Sequence, residues 1–290
     1  MDPASHTVGA CKLEFAVQMT CGKCVDAVKG SLQSVQGVQN VTVNLESESV
    51  LVDTILPALE VQNLIESSGR KAVLKGMGNI KSDNLGAAVA MMSGEESVQG
   101  VVRFLQVSED SCVIDGTLDG LSPGFHGLHI HEFGDVSAGS ESCGRHFNPC
   151  GNNHGSPDET DSVCLFITVL LEIGTYTLLY HVGDLGNILV NDDGRAAFRM
   201  ENKRVKVWDV IGRSLVVDEG KDDLGRGNHP LSKTTGNSGK GLACGIIARS
   251  AGLFENPKQI CMCDGVTIWE ERDRPAAGPG RKKQDTYAHL

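Results

Sequence analysis

Aromatic side chains are scarce in this sequence, at 4% of its 290 residues, whereas glycine is abundant, with 35 residues. This balance is typical of short strands joined by tight turns. Acidic residues outnumber basic ones, and the net charge of −11 argues against nucleic acid or an anionic membrane as a partner. The length predicts two or three domains.

We expect no secretory leader, because no basic stretch followed by an apolar core opens the sequence. A cytoplasmic location is therefore predicted. In that reducing compartment the ten cysteines favour metal or redox chemistry over a disulfide scaffold.

Residues 10–75 alternate between strand and helix patterns. Apolar and polar positions alternate over Leu13–Val17, as in a strand, and the apolar residues that follow Cys24 recur at helical spacing. Two more strands, a second helix and a last strand at Lys71–Lys75 complete the order β-α-β-β-α-β, which predicts a ferredoxin-like α+β domain. The glycines of residues 76–84 predict a short linker.

Cys21 and Cys24 lie at the predicted junction of the first strand and the first helix, within the sequence Met-Thr-Cys-Gly-Lys-Cys. The positive end of the helix dipole and Lys23 are both expected to lower the pKa of these thiols. No second Cys or His pair in the domain completes a four-ligand zinc site, whereas two soft thiolates suit Cu(I).

This loop resembles the metal loop of heavy-metal-associated domains and small copper chaperones. We therefore predict that Cys21 and Cys24 capture Cu(I). A thioredoxin-type redox pair, a zinc site and two unrelated buried cysteines are the alternatives.

Residues 85–253 change to short strands separated by turns, which predicts an antiparallel Greek-key sandwich or barrel of immunoglobulin-like type. Within Gly127–Asp135, His129 and His131 alternate with apolar residues, so both imidazoles point to one face of a strand, about 7 Å apart. Such a pair can share one metal ion. A chance surface pair is the alternative.

Five segments, in this order, closely resemble the copper/zinc superoxide dismutase family: GLHIHEFGD (127–135), HFNP (146–149), HVGDLGN (181–187), DDLGRG (222–227) and GNSGKGLACG (236–245). The resemblance implies a zinc site, a carboxylate that orients ligand imidazoles, and three copper ligands. The implied zinc set is His146, His154, His181 and Asp184, the orienting carboxylate is Asp222, and the copper ligands are His129, His131 and His146.

Two positions depart from the dismutase pattern. Asp218 stands where dismutases have the fourth copper histidine, and Gly241 stands where they have the arginine that attracts superoxide. We therefore predict a vestigial copper site and no enzyme activity, in a domain that pairs with a genuine dismutase. An active, diverged dismutase is the alternative.

The cysteine pattern departs as well. The family's loop cysteine falls at Ser140, and Cys143 is the local substitute for a disulfide with Cys244. A free Cys143 is the alternative.

Val163–Tyr180 adds 18 mostly apolar residues between His154 and His181, close to the length of a membrane span. A spanning helix, an insertion from an alternative transcript or gene model, and an apolar interaction loop are the three interpretations. If the segment is translated, we expect weaker zinc binding and aggregation, because so large an apolar patch needs cover.

Residues 254–290 lack the barrel pattern and carry Cys261 and Cys263. One intervening residue places both thiols on the same side of an extended chain, where they can bind Cu(I) or exchange with a partner's thiols or disulfide. This segment is the predicted C-x-C tail.

The three parts, in this order, resemble the family of copper chaperones that serve superoxide dismutase. The resemblance implies bound Cu(I) and zinc, a heterodimer with the target dismutase or a homodimer through the same surface, and disulfide formation in the target. Either thiol pair, Cys21 with Cys24 or Cys261 with Cys263, is expected to donate the copper. A dismutase with appended copper-binding domains and a general copper buffer are the competing classes.

Overall fold

A computed structural model describes residues 9–80, 84–94, 98–157, 180–250 and 252–254, together with residue 269. The apolar segment Val163–Tyr180, except Tyr180 itself, lies outside these described residues, as do Cys261 and Cys263. Among the helices of the described ranges, none is long and apolar enough to cross a membrane.

The first domain is a four-stranded antiparallel sheet with two helices, and its strand order is β2-β3-β1-β4. This arrangement confirms the predicted ferredoxin-like fold. Its elements in chain order are β1 (Cys11–Val17), α1 (Gly22–Leu32), β2 (Val38–Asn44), β3 (Ser49–Thr54), α2 (Ala58–Glu66) and β4 (Ala72–Gly78).

Both helices bury one apolar stripe against the sheet. In α1 the buried residues are Cys24, Val28 and Leu32, spaced four apart so that they share one helix face. In α2 they include Val61 and Ile65, which pack into the same core. Cys24 therefore belongs to the core face of its helix, and the core fixes the metal loop.

The first domain ends later than the sequence predicts. β4 continues to Gly78, and Met77 at its end pairs with Leu13 and is almost fully buried. Residues 76–78, which the glycine spacing assigned to the linker, are thus part of the strand, because their pairing with β1 outweighs the local signal of the glycines.

The second domain is one eight-stranded antiparallel sheet with the order β10-β7-β6-β5-β12-β11-β8-β9. The edge strands β9 and β10 contact each other, so the sheet curls into a nearly closed barrel, as predicted. The strands are β5 (Ala87–Gly94), β6 (Gln99–Ser108), β7 (Ser111–Asp119), β8 (Gly124–His131), β9 (Asp184–Val190), β10 (Arg195–Asn202), β11 (Ser214–Asp218) and β12 (Gly241–Arg249).

Short helices lie in the barrel's connections: α3 (Val207–Val210), α4 (Ser232–Thr235) and a 3-10 helix at Gly139–Cys143. On β8, Leu128 and Ile130 point into the barrel core, as the alternation predicts. His129 and His131 point to the outer face, yet both are buried, because the long connections cover that face.

Pro157 and Tyr180, the described residues on either side of residues 158–179, lie close together. The Tyr180 hydroxyl donates to the Pro157 carbonyl at 3.1 Å. The Arg204 guanidinium lies 3.7 Å from the centre of the Tyr180 ring and donates to the Tyr180 carbonyl at 2.9 Å. Pro157 and Tyr180 are therefore held next to each other.

Candidate metal centres

The thiols of Cys21 and Cys24 lie together at the start of α1. Cys21 is the N-cap residue, and the two Sγ atoms are 3.4 Å apart. Cys21 is exposed, whereas Cys24 is buried in the domain core. The pair therefore offers two thiol ligands, one anchored in the core and one open to a partner.

Hydrogen bonds lower the pKa of Cys24 to about 6. The largest cause is the backbone N–H of Thr20, followed by the thiol of Cys21 and the hydroxyl of Thr20. The predicted lowering is present at Cys24, but its main causes are these local bonds rather than Lys23. At neutral pH Cys24 is mostly thiolate, the form that binds metal.

Three imidazoles of the barrel converge on one carboxylate. Asp184 begins β9, and its Oδ1 lies 2.9 Å from Nδ1 of His146 and 3.2 Å from Nδ1 of His181. Its Oδ2 lies 2.9 Å from Nδ1 of His154. All four residues are buried. Burial alone would raise the pKa of Asp184, but its interactions with the three imidazoles outweigh burial and hold this pKa well below its usual range.

This set fits a tetrahedral metal ion. Nδ1 of His154 is buried and, despite its distance to Asp184, makes no hydrogen bond of normal geometry. Three imidazole nitrogens and one carboxylate around a common point are a complete ligand set for zinc. Zinc bound there would hold the connections that carry His146, His154 and His181 on the barrel.

Among the described residues, the ligand atoms of His129, His146, His154 and Asp184 lie within 4.8 Å of one another, so this grouping contains His129 in place of His181. We favour the set with His181. Both ring nitrogens of His129 already donate to carboxylates, whereas Nδ1 of His181 faces Asp184 directly.

Asp222 joins the two sides of the centre. Its carboxylate accepts from Nε2 of His154 at 2.8 Å and from Nε2 of His129 at 3.0 Å. Asn187 fixes its backbone through two hydrogen bonds of 2.8 and 2.9 Å. The carboxylate thus orients one imidazole of the candidate zinc set, the role that a second layer of ligands has in metal sites.

The predicted copper ligand His129 is not arranged as in a dismutase copper site. The Asp218 carboxylate lies 2.8 Å from Nδ1 of His129 and accepts a 2.7 Å bond from the Ser238 hydroxyl. Burial opposes protonation of His129, but the bonds to Asp218 and Asp222 outweigh it and raise its pKa to about 10. The carboxylate and this imidazole therefore satisfy each other.

His131 is held differently. Its Nδ1 donates to the Gly144 carbonyl at 2.9 Å, while its buried Nε2 has no hydrogen-bond partner. A cavity of about 780 Å³ opens beside His131, Asp218 and Gly241. The sequence-predicted copper ligands are thus adjacent, but they do not form the dismutase arrangement.

Gly241 has no room for a side chain. A Cβ atom there would lie 2.5 Å from Cβ of Ser140 and 2.6 Å from Cγ1 of Val216. The Ser140 hydroxyl also donates to the Gly241 carbonyl at 3.0 Å. The packing around residue 241 therefore leaves space only for glycine. An arginine at this position, as in the dismutases, would require Ser140 and Val216 to move.

Cys143 and Cys244 are in contact as free thiols and form a small cluster with Val216. The hydrogen bond from Cys244 lowers the pKa of Cys143 to about 7 and raises that of Cys244. The structure brings the two predicted partners together, and the disulfide between them remains a prediction.

Two polar contacts at these centres were missed in the sequence. Ser238 holds Asp218, and Thr20 lowers the pKa of Cys24. Both lie inside segments that the sequence analysis singled out, but hydroxyl residues are common in loops and carry no spacing signal of their own.

The geometry defines a class: a metal-binding protein that joins a thiol-bearing ferredoxin-like domain to a barrel with a His and Asp centre. Comparison with known families agrees. The heavy-metal-associated domain matches residues 14–71, and copper/zinc superoxide dismutase (SODC) matches residues 98–247.

Relatives that match most of this chain have a more specific name than the two family models. The copper chaperone for superoxide dismutase of Homo sapiens is 62% identical over 281 residues, which cover 97% of this chain and 96% of the relative. A chloroplastic protein of the same name from Oryza sativa is 37% identical over 89% of this chain and 70% of its own. The superoxide dismutase [Cu-Zn] 2 of Brassica juncea is 40% identical but covers 56% of this chain, with 97% of its own length matched.

This chain belongs to the family of copper chaperones for superoxide dismutase. The family predicted from its motifs is thereby confirmed, and the chaperone interpretation is favoured over an active dismutase.

The contact between Gly236 and Asp222 yields a prediction for zinc binding. Gly236 has φ +64°, and a Cβ atom there would lie 1.8 Å from Oδ1 of Asp222 and 2.4 Å from Nε2 of His154. Gly236→Ala should displace both groups and lower zinc affinity about 10- to 100-fold, the range for lost second-layer contacts. Competition with a chromophoric zinc chelator measures this.

The matched control is Gly139→Ala. Gly139 has the same φ of +64° but no atom within 4 Å of the added Cβ, so it tests backbone strain alone. Equal zinc affinities for the two variants would rule out the proposed role of Asp222.

A second prediction concerns the thiolate at Cys24. Thr20→Val removes one of the hydrogen bonds that hold its pKa near 6, so the midpoint of its reactivity should move to higher pH. Mass spectrometry of metal-free protein, alkylated briefly across pH 4–9, reports each cysteine separately. Thr42→Val, at an exposed threonine of β2, is the control, and an unchanged midpoint in Thr20→Val would contradict this account.

Proposed function

We propose that this protein carries Cu(I) on Cys21 and Cys24 and delivers it to a copper/zinc superoxide dismutase. The observation that carries the proposal is a contrast between two sites. The thiol pair is intact and partly exposed, whereas the barrel's own copper position is taken up by the bond between Asp218 and His129. Such a barrel does not retain copper, so the metal is cargo.

Exposed apolar side chains of the barrel support pairing with the target. Phe133, Trp208 and Ile246 are exposed by 54%, 54% and 43%, although they are large apolar residues. The backbone beside Phe133 packs closely on a second connection, since a Cβ at Gly134 would lie 2.2 Å from the Gly212 carbonyl oxygen. An exposed apolar surface marks an interface, and we assign it to a heterodimer with the dismutase or a homodimer through the same residues.

Transfer proceeds by ligand exchange. Each Cu(I)–thiolate bond of the donor is replaced in turn by a ligand of the acceptor, so the ion is never free. Cys261 and Cys263 serve either as an intermediate carrier or as the donor pair. The proposal places these events in the cytoplasm.

The tail thiols also support disulfide formation in the target. Starting from an oxidised Cys261–Cys263 pair, a target thiolate attacks one sulfur and forms a mixed disulfide, releasing the other tail thiolate. The second target thiolate then displaces the tail. The target gains one disulfide, and the tail is left with two reduced thiols.

Zinc has a structural role in this proposal. His146, His154, His181 and Asp184 would bind it, and Asp222 would orient His154. The ion would stabilise the connections beside the pairing surface. No step of copper transfer involves it.

The decisive experiment is transfer. Protein loaded with Cu(I) is mixed with copper-free, disulfide-reduced dismutase in the presence of a strong Cu(I) chelator, and dismutase activity is followed. Dismutase activity should appear only when both proteins are mixed. It should be lower when the loaded protein is the variant Cys21→Ser/Cys24→Ser or Cys261→Ser/Cys263→Ser.

The chain without the target is the control for the competing class. Dismutase activity from it alone would make the protein an enzyme. If every mixture is inactive, the assay is repeated with residues 163–179 deleted, and renewed inactivity would refute copper delivery.

The bond between Asp218 and His129 predicts a gain of copper binding. Asp218→His removes the carboxylate that occupies Nδ1 of His129 and supplies a fourth imidazole, so the barrel should bind one Cu(II) that the unchanged barrel does not. Visible absorption titration of zinc-loaded protein, with the thiols blocked, measures it. Asp192→His, in an exposed turn, should bind no additional ion at the barrel centre, and the same result for Asp218→His would contradict the argument.

A further inference from the structure

Three charged residues form a row on the outer surface of the barrel. β10, β7 and β6 are adjacent strands, and Asp115 on β7 is the register partner of Arg199 on β10 and of Arg103 on β6. Register partners on neighbouring strands point to the same face of a sheet. The order across the sheet is therefore arginine, aspartate, arginine.

The aspartate of this row caps a helix of the other domain. The backbone N–H of Ala58, in the first turn of α2, donates to Oδ2 of Asp115 at 3.0 Å. The N-cap residue of α2 is Pro57, which provides no side-chain bond to the helix. A carboxylate at the positive end of a helix is favourable, and here the barrel supplies it. Asp115 is only 2% exposed.

Arg199 contacts the same corner of the first domain. One guanidinium nitrogen donates to the Leu56 carbonyl and to Sγ of Cys11, each at 3.2 Å, and the other donates to the Gly9 carbonyl. Leu56 immediately precedes the N-cap of α2. The carboxylate and the guanidinium thus bind donors and acceptors on the two sides of one turn.

Cys11 is an acceptor here and not a metal ligand. Burial is the largest influence and raises its pKa to about 11, although Arg199 acts in the opposite direction. The thiol is therefore neutral at physiological pH. Apolar packing completes the joint, because Leu105 of β6 is 3% exposed and belongs to the core of the first domain.

The contact between the two domains also determines where the loop that carries Cys21 and Cys24 lies relative to the barrel. Cys11 begins β1 at the barrel, and Cys21 follows the other end of this strand. A seven-residue strand spans about 20 Å between its first and last residues. Cys21 and Cys24 therefore lie at the end of the first domain that faces away from the contact with Arg199.

We propose that Asp115 and Arg199, with Arg103 beside Asp115 in the row, form an interdomain clasp. The clasp is a docking site on the barrel for the start of α2, and it holds the loop of Cys21 and Cys24 away from the barrel. Asp115 and Arg199 act as positioning residues for Cys21 and Cys24. The clasp is a property of the joint and does not depend on copper delivery.

Arg199→Ala in the full-length, zinc-loaded protein tests the clasp. Amide hydrogen exchange at Ala58 is the main measurement, because this N–H is bonded to Asp115 and not to Arg199. If the row acts as one clasp, the variant should speed exchange at Ala58 about tenfold or more, as expected when a local opening becomes easier. Small-angle X-ray scattering should show a larger radius of gyration.

Arg195→Ala is the matched control. Arg195 lies on the same strand and donates to Asp119 of β7 at 2.5 and 3.1 Å, and the two side chains are 48% and 38% exposed. Within the described ranges, neither makes a hydrogen bond or an ion pair with the first domain. Exchange at Ala58 and the scattering should be unchanged. Equal values for Arg199→Ala and Arg195→Ala would overturn the proposal.

Arg199→Lys covers the case in which the alanine variant does not fold, which loss of bound zinc would reveal. A lysine keeps the charge beside Asp115 but cannot reach three acceptors at once. It should give exchange at Ala58 between those of the unchanged protein and an open joint. Exchange identical to that of the unchanged protein would show that the bonds from Arg199 do not hold the domain.

Discussion

The barrel's metal centre depends on Asp222, a carboxylate that touches two imidazoles and lies outside the candidate zinc set. It joins His154, a member of the candidate zinc set, to His129, a predicted copper ligand. The side chains of both pairs are buried. A buried charge is tolerated only when hydrogen bonds replace water. Asn187 fixes the backbone of Asp222, so the connection that carries it cannot move independently of β9.

This constraint also explains how the barrel satisfies the buried imidazole of His129, a predicted copper ligand. His129 lies between two carboxylates, Asp218 and Asp222, and the positive charge they favour on the imidazole balances part of their own. Ser238 holds Asp218 in that position. The centre is thus satisfied on the copper side and open to a metal on the zinc side. The thiols of the first domain are softer ligands, and their softness suits Cu(I) better than nitrogen and oxygen ligands do.

Much of this arrangement could be predicted from local patterns. The two-residue period of a strand placed His129 and His131 on one face, and the helical spacing after Cys21 placed the thiols at a helix start. The bond between Asp218 and Ser238 could not be predicted, because these residues are separated along the chain and meet only when the connections fold over the barrel. The same holds for Asp115, since nothing in a β-strand pattern indicates that its carboxylate caps a helix of another domain.

The apolar segment between His154 and His181 lengthens the connection between two residues of the candidate zinc set. Pro157 and Tyr180, which flank residues 158–179, are hydrogen-bonded to each other. The entropy of closing a loop grows slowly, by about 0.6 kcal/mol for each doubling of its length. The number of inserted residues therefore costs the candidate zinc set little. Any weakening of zinc binding must come from the apolar character of these residues, which need cover from water, and not from the distance they add between two ligands.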